Sequence, residues 1–250
     1  MAIDMDKMKA KMASVKGEDR KSRNDIFWRP QDGEQTIRIL PTPDGDPFKE
    51  FWFHYNLGNN PGFLSPKKNF GEDCPLDSFI RELFNDGTED SIKMAKSLMA
   101  RQRFFSPVVV RGEEDKGVRI WGYGKMAYQE LLNLVLNPDY GDITDPEEGT
   151  DLVITYGKPP GAQFPQTNIT PRRKTSRMMK SDEDVARSLD SIPDFTTVFD
   201  RKTPEQVQAM LDQFLLSEED VEDASTETSK YSNSSSSDDK VTKAFAELLG

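Results

Sequence analysis

The residues of this 250-residue chain best equipped for chemistry are cations set beside aromatic rings. Arg101-Gln102-Arg103-Phe104-Phe105 places two guanidinium groups directly before two rings. Neighbours on a strand point to opposite faces, so one of Phe104 and Phe105 is expected in the core and the other free to meet a ligand. Arg119, Trp121, Tyr123 and Lys125 follow at alternating positions, with Arg119, Trp121 and Tyr123 on one face. The stretch from Pro171 to Lys180 contains Arg172, Arg173, Lys174, Arg177 and Lys180 and no acid, while Lys67 and Lys68 precede Phe70. Cations follow phosphates, and an exposed ring stacks a base for about 1–3 kcal/mol whatever the sequence. The set therefore fits single-stranded nucleic acid, DNA and RNA alike. The bland alternative places the rings in the core and leaves the cations solvated; recurrence of Arg, Trp, Tyr and Lys on one strand favours binding.

Other chemistry finds little to work with. There is no Gly-rich phosphate loop, no Gly-x-Ser-x-Gly and no His-Glu-x-x-His. Asp139, Asp142, Asp145, Glu147, Glu148 and Asp151 could in principle hold Mg²⁺. Nothing completes a catalytic constellation around them, so a solvated loop is the better reading and no enzyme is expected. His54 is the one histidine and Cys74 the one cysteine. Zinc in a structural site takes four N or S ligands, for which Asp77 and Ser65 are poor substitutes, so no metal or other cofactor is expected.

Charge is unevenly distributed. Lys and Arg number 33 against 44 Asp and Glu, a net −11. Residues 1–23 hold seven bases and four acids, a net +3, whereas residues 217–250 hold three bases and nine acids, a net −6. This divides the chain into a basic arm, a folded middle over 24–216 and an acidic tail. The Ser-rich tail cannot bury enough apolar surface to order itself and is expected to be disordered. It nevertheless ends in Val241, Ala244, Phe245, Leu248 and Leu249 at helical spacing, a peptide suited to docking on a partner. No apolar run approaches the roughly 18 residues that span a bilayer, so the reading is a soluble intracellular protein.

Around these residues the pattern is one of short strands and interposed helices. Strands are expected over Gln35–Leu40, Phe48–Tyr55, Phe104–Arg111, Val118–Tyr123, Leu152–Tyr156 and Phe164–Ile169. Leu76, Phe79, Ile80, Leu83 and Phe84 recur at helical spacing, and Thr88 can cap the next helix. A third helix is expected over Lys125–Leu136. A fourth opens with Thr203 as N-cap, Pro204 in its first turn and Gln206 closing a capping box. The class is mainly β with inserted helices (α+β), a small barrel with helical decoration.

Several segments, in order, resemble the single-stranded DNA-binding protein of T-even-type tailed phages and their marine relatives. They are Gly33–Pro41 with its Ile-Arg-Ile-Leu-Pro ending, His54, Cys74-Pro75 and the helix through Phe79, Phe104–Val110, Val118–Lys125 and the acidic tail. The resemblance implies a five-stranded OB-fold barrel core over 24–216. Residues 54–87 would correspond to the family's zinc subdomain, residues 1–23 to an arm for cooperative self-association, and 217–250 to a tail that recruits replication and recombination proteins. By position it implies stacking by Phe104 or Phe105, Trp121 and Tyr123. Phosphate contacts would come from Arg38, Arg101, Arg103, Arg119, Lys125, Arg172, Arg173 and Lys174, with Lys67 and Lys68 ranking lower. The expected role is to coat DNA during phage replication, recombination and repair in the cytoplasm of the infected bacterium; the alternative is a scaffold working through its tail alone. Two departures stand out. Of the family's one His and three Cys only His54 and Cys74 remain, so packing of Phe63, Phe70, Leu76 and Phe79 is expected to replace zinc. The family's compact basic N-terminal cluster is replaced by the spaced Lys7, Lys9 and Lys11.

Overall fold

The computed structural model describes the backbone of residues 26–226 and the side chains of residues 26–216. Lys7, Lys9 and Lys11 of the arm, and Phe245, Leu248 and Leu249 of the tail, lie outside the described residues.

The strands are β1 (Phe27–Trp28), β2 (Gly33–Ile39), β3 (Lys49–His54), β4 (Phe63–Leu64), β5 (Arg101–Val110), β6 (Arg119–Tyr123), β7 (Thr150–Gly157) and β8 (Gln166–Thr175). The helices are α1 (Pro66–Phe70), α2 (Pro75–Asp86), α3 (Glu89–Leu98), α4 (Lys125–Leu136), α5 (Asp182–Asp190), α6 (Phe195–Val198) and α7 (Pro204–Thr226). All eight strands join one mixed sheet in the order β1-β6-β5-β2-β7-β8, with β3 branching from β5 and pairing β4. The class is α+β, and among the described strands the β1–β6 pair alone is parallel.

Strand β5 organises the sheet. One side pairs with β6 from Phe104 to Val108; the other pairs with β3 over 101–105 and then with β2 over 108–110. Pro107 falls where the partner changes, and there its carbonyl accepts from the Leu40 amide at 3.0 Å. A proline, having no amide hydrogen, is tolerated at that gap in the ladder. Alternation carries Ile37, Ile39, Phe104, Val108, Val110, Trp121, Tyr123, Leu152 and Ile154 into one core, covered by Ala127 and Leu131 of α4. A second core joins α2, α3 and α7 through Leu76, Phe79, Ile80, Ala95, Leu98, Val207 and Leu211.

The helix signals act as expected. Thr88 Oγ1 accepts from the Ser91 amide at the start of α3. At α7 the Gln206 amide donates to Thr203 Oγ1 at 3.3 Å and the Thr203 amide donates to Gln206 Oε1 at 3.0 Å. Three expectations need correction. The last strand runs over Gln166–Thr175, not Phe164–Ile169, leaving Phe164 exposed and the basic run on the strand. Pro171 does not stop it, because β8 pairs on one side alone. Helix α7 continues through Thr226, into the segment expected to be disordered. Phe70 is exposed, its ring under the Arg201 guanidinium at 4.1 Å, so it adds nothing to the packing of Phe63, Leu76 and Phe79.

Candidate nucleic-acid interface

A cleft of about 800 Å³ opens along β1, β3, β5 and β6 and reaches the start of α4 and the β7–β8 end of the sheet, with Trp28, Trp121, Tyr123 and Ala127 of the main core at its wall. Its floor is aromatic. Phe199 lies 5.9 Å from Phe27, 4.6 Å from Phe105 and 5.1 Å from Phe53, and Phe53 stacks on Tyr55 at 5.9 Å. Gly122 makes room for one of these rings. A Cβ there would stand 2.8 Å from the Phe105 ring, which lies directly across the β5–β6 ladder from it. Phe105, 7% exposed, forms the base of the floor, while Phe27, Tyr55 and Phe199 are half-buried and open to the cleft.

Cations border the rings. Arg29 and Lys125 are exposed, Arg103 is half-buried, and none of them has a carboxylate partner among the described residues. Glu130 is the acid at the wall, and its Oε2 accepts from the Ile169 amide at 3.1 Å. Burial raises the Tyr55 pKa against the opposing pull of Arg103 and Arg101, so the phenol stays neutral at neutral pH. The cleft thus presents flat apolar surface with unpaired positive charge at its edge, which can hold unstacked bases and their phosphates.

The sequence-derived candidates divide sharply. Arg103, Lys125 and Phe105 line the cleft, and Trp121 and Tyr123 border it from the core side. Arg101 is exposed and shares the β5 face of Arg103. Phe104, Trp121 and Tyr123 are 1%, 1% and 3% exposed, so their rings have no face left for a base. The Arg119–Trp121–Tyr123 face of β6 turns inward. Phe104 stacks on Tyr128 at 3.8 Å, Trp121 meets Trp28 at 5.9 Å, and Tyr123 Oη shares a 2.7 Å hydrogen bond with Ser106 Oγ. One ring of Phe104-Phe105 was expected to be free; both are buried, on opposite faces, and the exposed edge of the aromatic floor comes from Phe27, Tyr55 and Phe199 instead.

Arg38 is fully buried and structural. Its Nε donates to Asp151 Oδ1 at 2.9 Å, and Nη2 donates to the carbonyls of Gly149 and Ser176 at 2.9 and 2.8 Å. Burial pulls its pKa down, with Asp151 opposing. Arg111 pairs with the same carboxylate at 2.8 Å, so two guanidiniums and one acid tie β2, the end of β5 and β7 together. Arg119 is 9% exposed and bonds Glu113 at 2.6 Å, outside the cleft. Arg172, Arg173 and Lys174 are exposed on edge strand β8. They lie roughly 13 Å or more of extended chain beyond Asn168, the last cleft residue on that strand. Lys67 and Lys68 are exposed on α1, with Lys68 over Trp52 at 5.4 Å, and neither lines the cleft.

The acidic loop is occupied with its own structure. Asp142 Oδ1 accepts from the Thr144 amide and hydroxyl, Asp145 Oδ1 accepts from the amides of Glu147 and Glu148, and Glu147 pairs with Arg177. The backbone bonds hold the Asp145 pKa below its ordinary value.

His54, Cys74 and Asp77 bring one nitrogen, one sulfur and one oxygen within 4.8 Å of one another. His54 Nδ1 is 2.9 Å from the Leu98 carbonyl, while Nε2 lies 3.8 Å from Asp77 Oδ2 and 4.0 Å from Cys74 Sγ. Among the described residues no fourth His, Cys, Asp or Glu joins them. The set does not fit a closed four-ligand zinc site. It does fit an ion pair. Burial pulls the His54 pKa down, but the Asp77 carboxylate, Cys74 and the Leu98 carbonyl outweigh it and raise the value to about 9.

Residues 31–215 match the family model described as gp32 DNA binding protein like. The chain belongs to this family. The gp32-like match takes in every strand of the sheet but β1 and the cleft floor from Phe53 to Phe199, and it begins just beyond Phe27, Trp28 and Arg29. No curated protein matches the chain significantly.

Proposed function

We propose that this chain binds single-stranded DNA without sequence preference, seating bases on Phe27, Tyr55 and Phe199, which Phe105 and Phe53 support from beneath, and phosphates on Arg29, Arg103 and Lys125. What carries the reading is the cleft itself, in which aromatic faces and unpaired cations occur together in a member of a DNA-binding family. On this reading the sheet is an OB-type barrel of five main strands; the sharing of β5 between β6, β3 and β2 supports it. The role is to coat and protect DNA in phage replication, recombination and repair, in the cytoplasm of the infected bacterium. Lys7, Lys9 and Lys11 would serve self-association on the strand, and Phe245, Leu248 and Leu249 would dock replication and recombination proteins. The His54 subdomain would hold without resident metal or other cofactor.

Anisotropy of labelled oligo-dT across a salt titration tests the binding. The wild type should bind with an affinity that falls steeply with salt, and should bind duplex DNA more weakly. Arg103→Ala with Lys125→Ala should reduce the salt slope by about 1.4, and Tyr55→Ala should weaken binding by about 1–3 kcal/mol. Equal affinity for duplex, or a slope untouched by the double substitution, would overturn the assignment. Failure to bind at all would favour the scaffold reading.

A further inference from the structure

A second cavity of about 530 Å³ lies on the other side of β1. It shares Phe27, Trp28 and Arg29 with the aromatic cleft and adds Glu113, Lys116 and Arg119 from the β5–β6 turn and the start of β6. Because β1 runs parallel to β6, with Phe27 opposite Ile120 and Trp28 opposite Trp121, the β1 wall stands between the two cavities. Arg119 marks one end of β6 and the Gly124-Lys125 corner the other.

The charge in this second cavity is unusual. Three cations, Arg29, Lys116 and Arg119, face one carboxylate, Glu113. Glu113 serves two of them, with Oε1 2.9 Å from Lys116 Nζ and Oε2 2.6 Å from Arg119 Nη2. Arg119 is nine-tenths buried, and its Nε has no hydrogen-bond partner. A buried guanidinium with one donor bonded and another unmet is an under-satisfied cation, and such groups gain most from a multidentate anion. Arg29 has no carboxylate partner among the described residues, and Lys116 is half-exposed.

We propose that the Arg29–Lys116–Arg119 cavity is a second phosphodiester subsite, which takes the backbone of a strand leaving the aromatic cleft across β1. Glu113 is its resident counter-charge: it neutralises Lys116 and Arg119 in the free protein and yields them when a phosphate arrives. The inference rests on the binding reading above and extends it in length. A short strand fills the aromatic cleft alone; a longer one reaches the second cavity and releases more counterions.

The experiment compares oligo-dT of about 4 and about 16 nucleotides, the span of site sizes for such modules. The variants are Lys116→Ala and Glu113→Gln, both at partly exposed positions that do not line the aromatic cleft. Lys116→Ala should lower the salt slope by about 0.7 on the long oligomer and leave the short one unchanged. Glu113→Gln should act in the opposite sense, tightening the long oligomer alone. Wild-type behaviour of both variants on the long oligomer, or equal effects on both lengths, overturns the second subsite while the aromatic cleft stands. Failure of the wild type to bind either length overturns the binding reading and this one together.

Discussion

Two buried charged groups, Arg38 and His54, show how a residue's neighbours decide its use. Arg38 carries the same guanidinium as Arg103, yet it is enclosed by Asp151, Gly149 and Ser176 and can meet no ligand. A Cβ at Gly149 would run into the Asp145 carbonyl and stand 2.8 Å from both Arg38 Nη1 and the Ile143 carbonyl, so that glycine leaves room for the loop and the guanidinium together. His54 is enclosed too, with Asp77 as its counter-charge, and this has a consequence in pH. Raised to about 9 from its ordinary 6.5, the imidazolium contributes stability fully below pH 6.5 and loses it as pH rises through 9. Asp77 is held below its ordinary value, burial opposing and His54 prevailing, so its share is present above pH 3.8 and lost as pH falls through its folded value. Stability from the pair therefore peaks between about pH 4 and 6.5, and on the order of 1–3 kcal/mol should be lost by pH 9. Urea midpoints in chelator at pH 6 and pH 9 measure this. The wild type should fall between them more than His54→Gln does; parallel falls would refute the ion pair. Stoichiometric zinc surviving dialysis would refute the proposal that the subdomain holds without metal.

At the scale of elements, the β5–β6 pair both closes the core and makes the cleft, because its two faces do different work. Trp121 and Tyr123 face inward; Phe105 faces outward, lying across from Gly122. Alternation along β6 was legible in the residues, but which face would turn inward was not. That is decided by where β1, β2 and α4 pack, and no local pattern encodes it. The strand over Phe48–Tyr55 was legible as well, and period two places Phe51, Phe53 and Tyr55 on one face of it. Phe27 and Phe199 were not legible, since they lie in a two-residue strand and just past a one-turn helix. The N-cap at Thr88 and the capping box at Thr203 were readable because their signals are local. The role of Gly122 follows from the fold alone. Gly122→Ala would drive a methyl into the Phe105 ring. It should cost about 1–3 kcal/mol of stability by overpacking and weaken oligo-dT binding, since the floor must shift. Loss of stability with unchanged affinity would separate Phe105 from the binding surface.

At the scale of the whole molecule, the net charge of −11 looks adverse for a DNA-binding protein until it is located. The segment 217–226 holds five acids and no base, a net −5, whereas 227–250 holds four acids and three bases, a net −1. Nearly all of the −6 carried by residues 217–250 therefore belongs to the stretch in which α7 continues as helix, and little to the Ser-rich sequence after it. Helix α7 also runs near the cleft. Phe214 would lie 3.7 Å from a Cβ at Gly58, in the loop whose Gly62 lines the cleft against Tyr55. Negative charge leaving the body there lowers the potential that attracts a phosphate backbone, more so at low salt, where screening reaches tens of ångströms. Changing Glu218, Glu219, Asp220, Glu222 and Asp223 to their amides should therefore tighten oligo-dT binding more than deleting 227–250. Both gains should shrink as salt is raised, and anisotropy titrations at low and high salt measure them. A deletion that tightens binding as much as the five amides do would place the regulating charge in the Ser-rich tail and remove it from the helix.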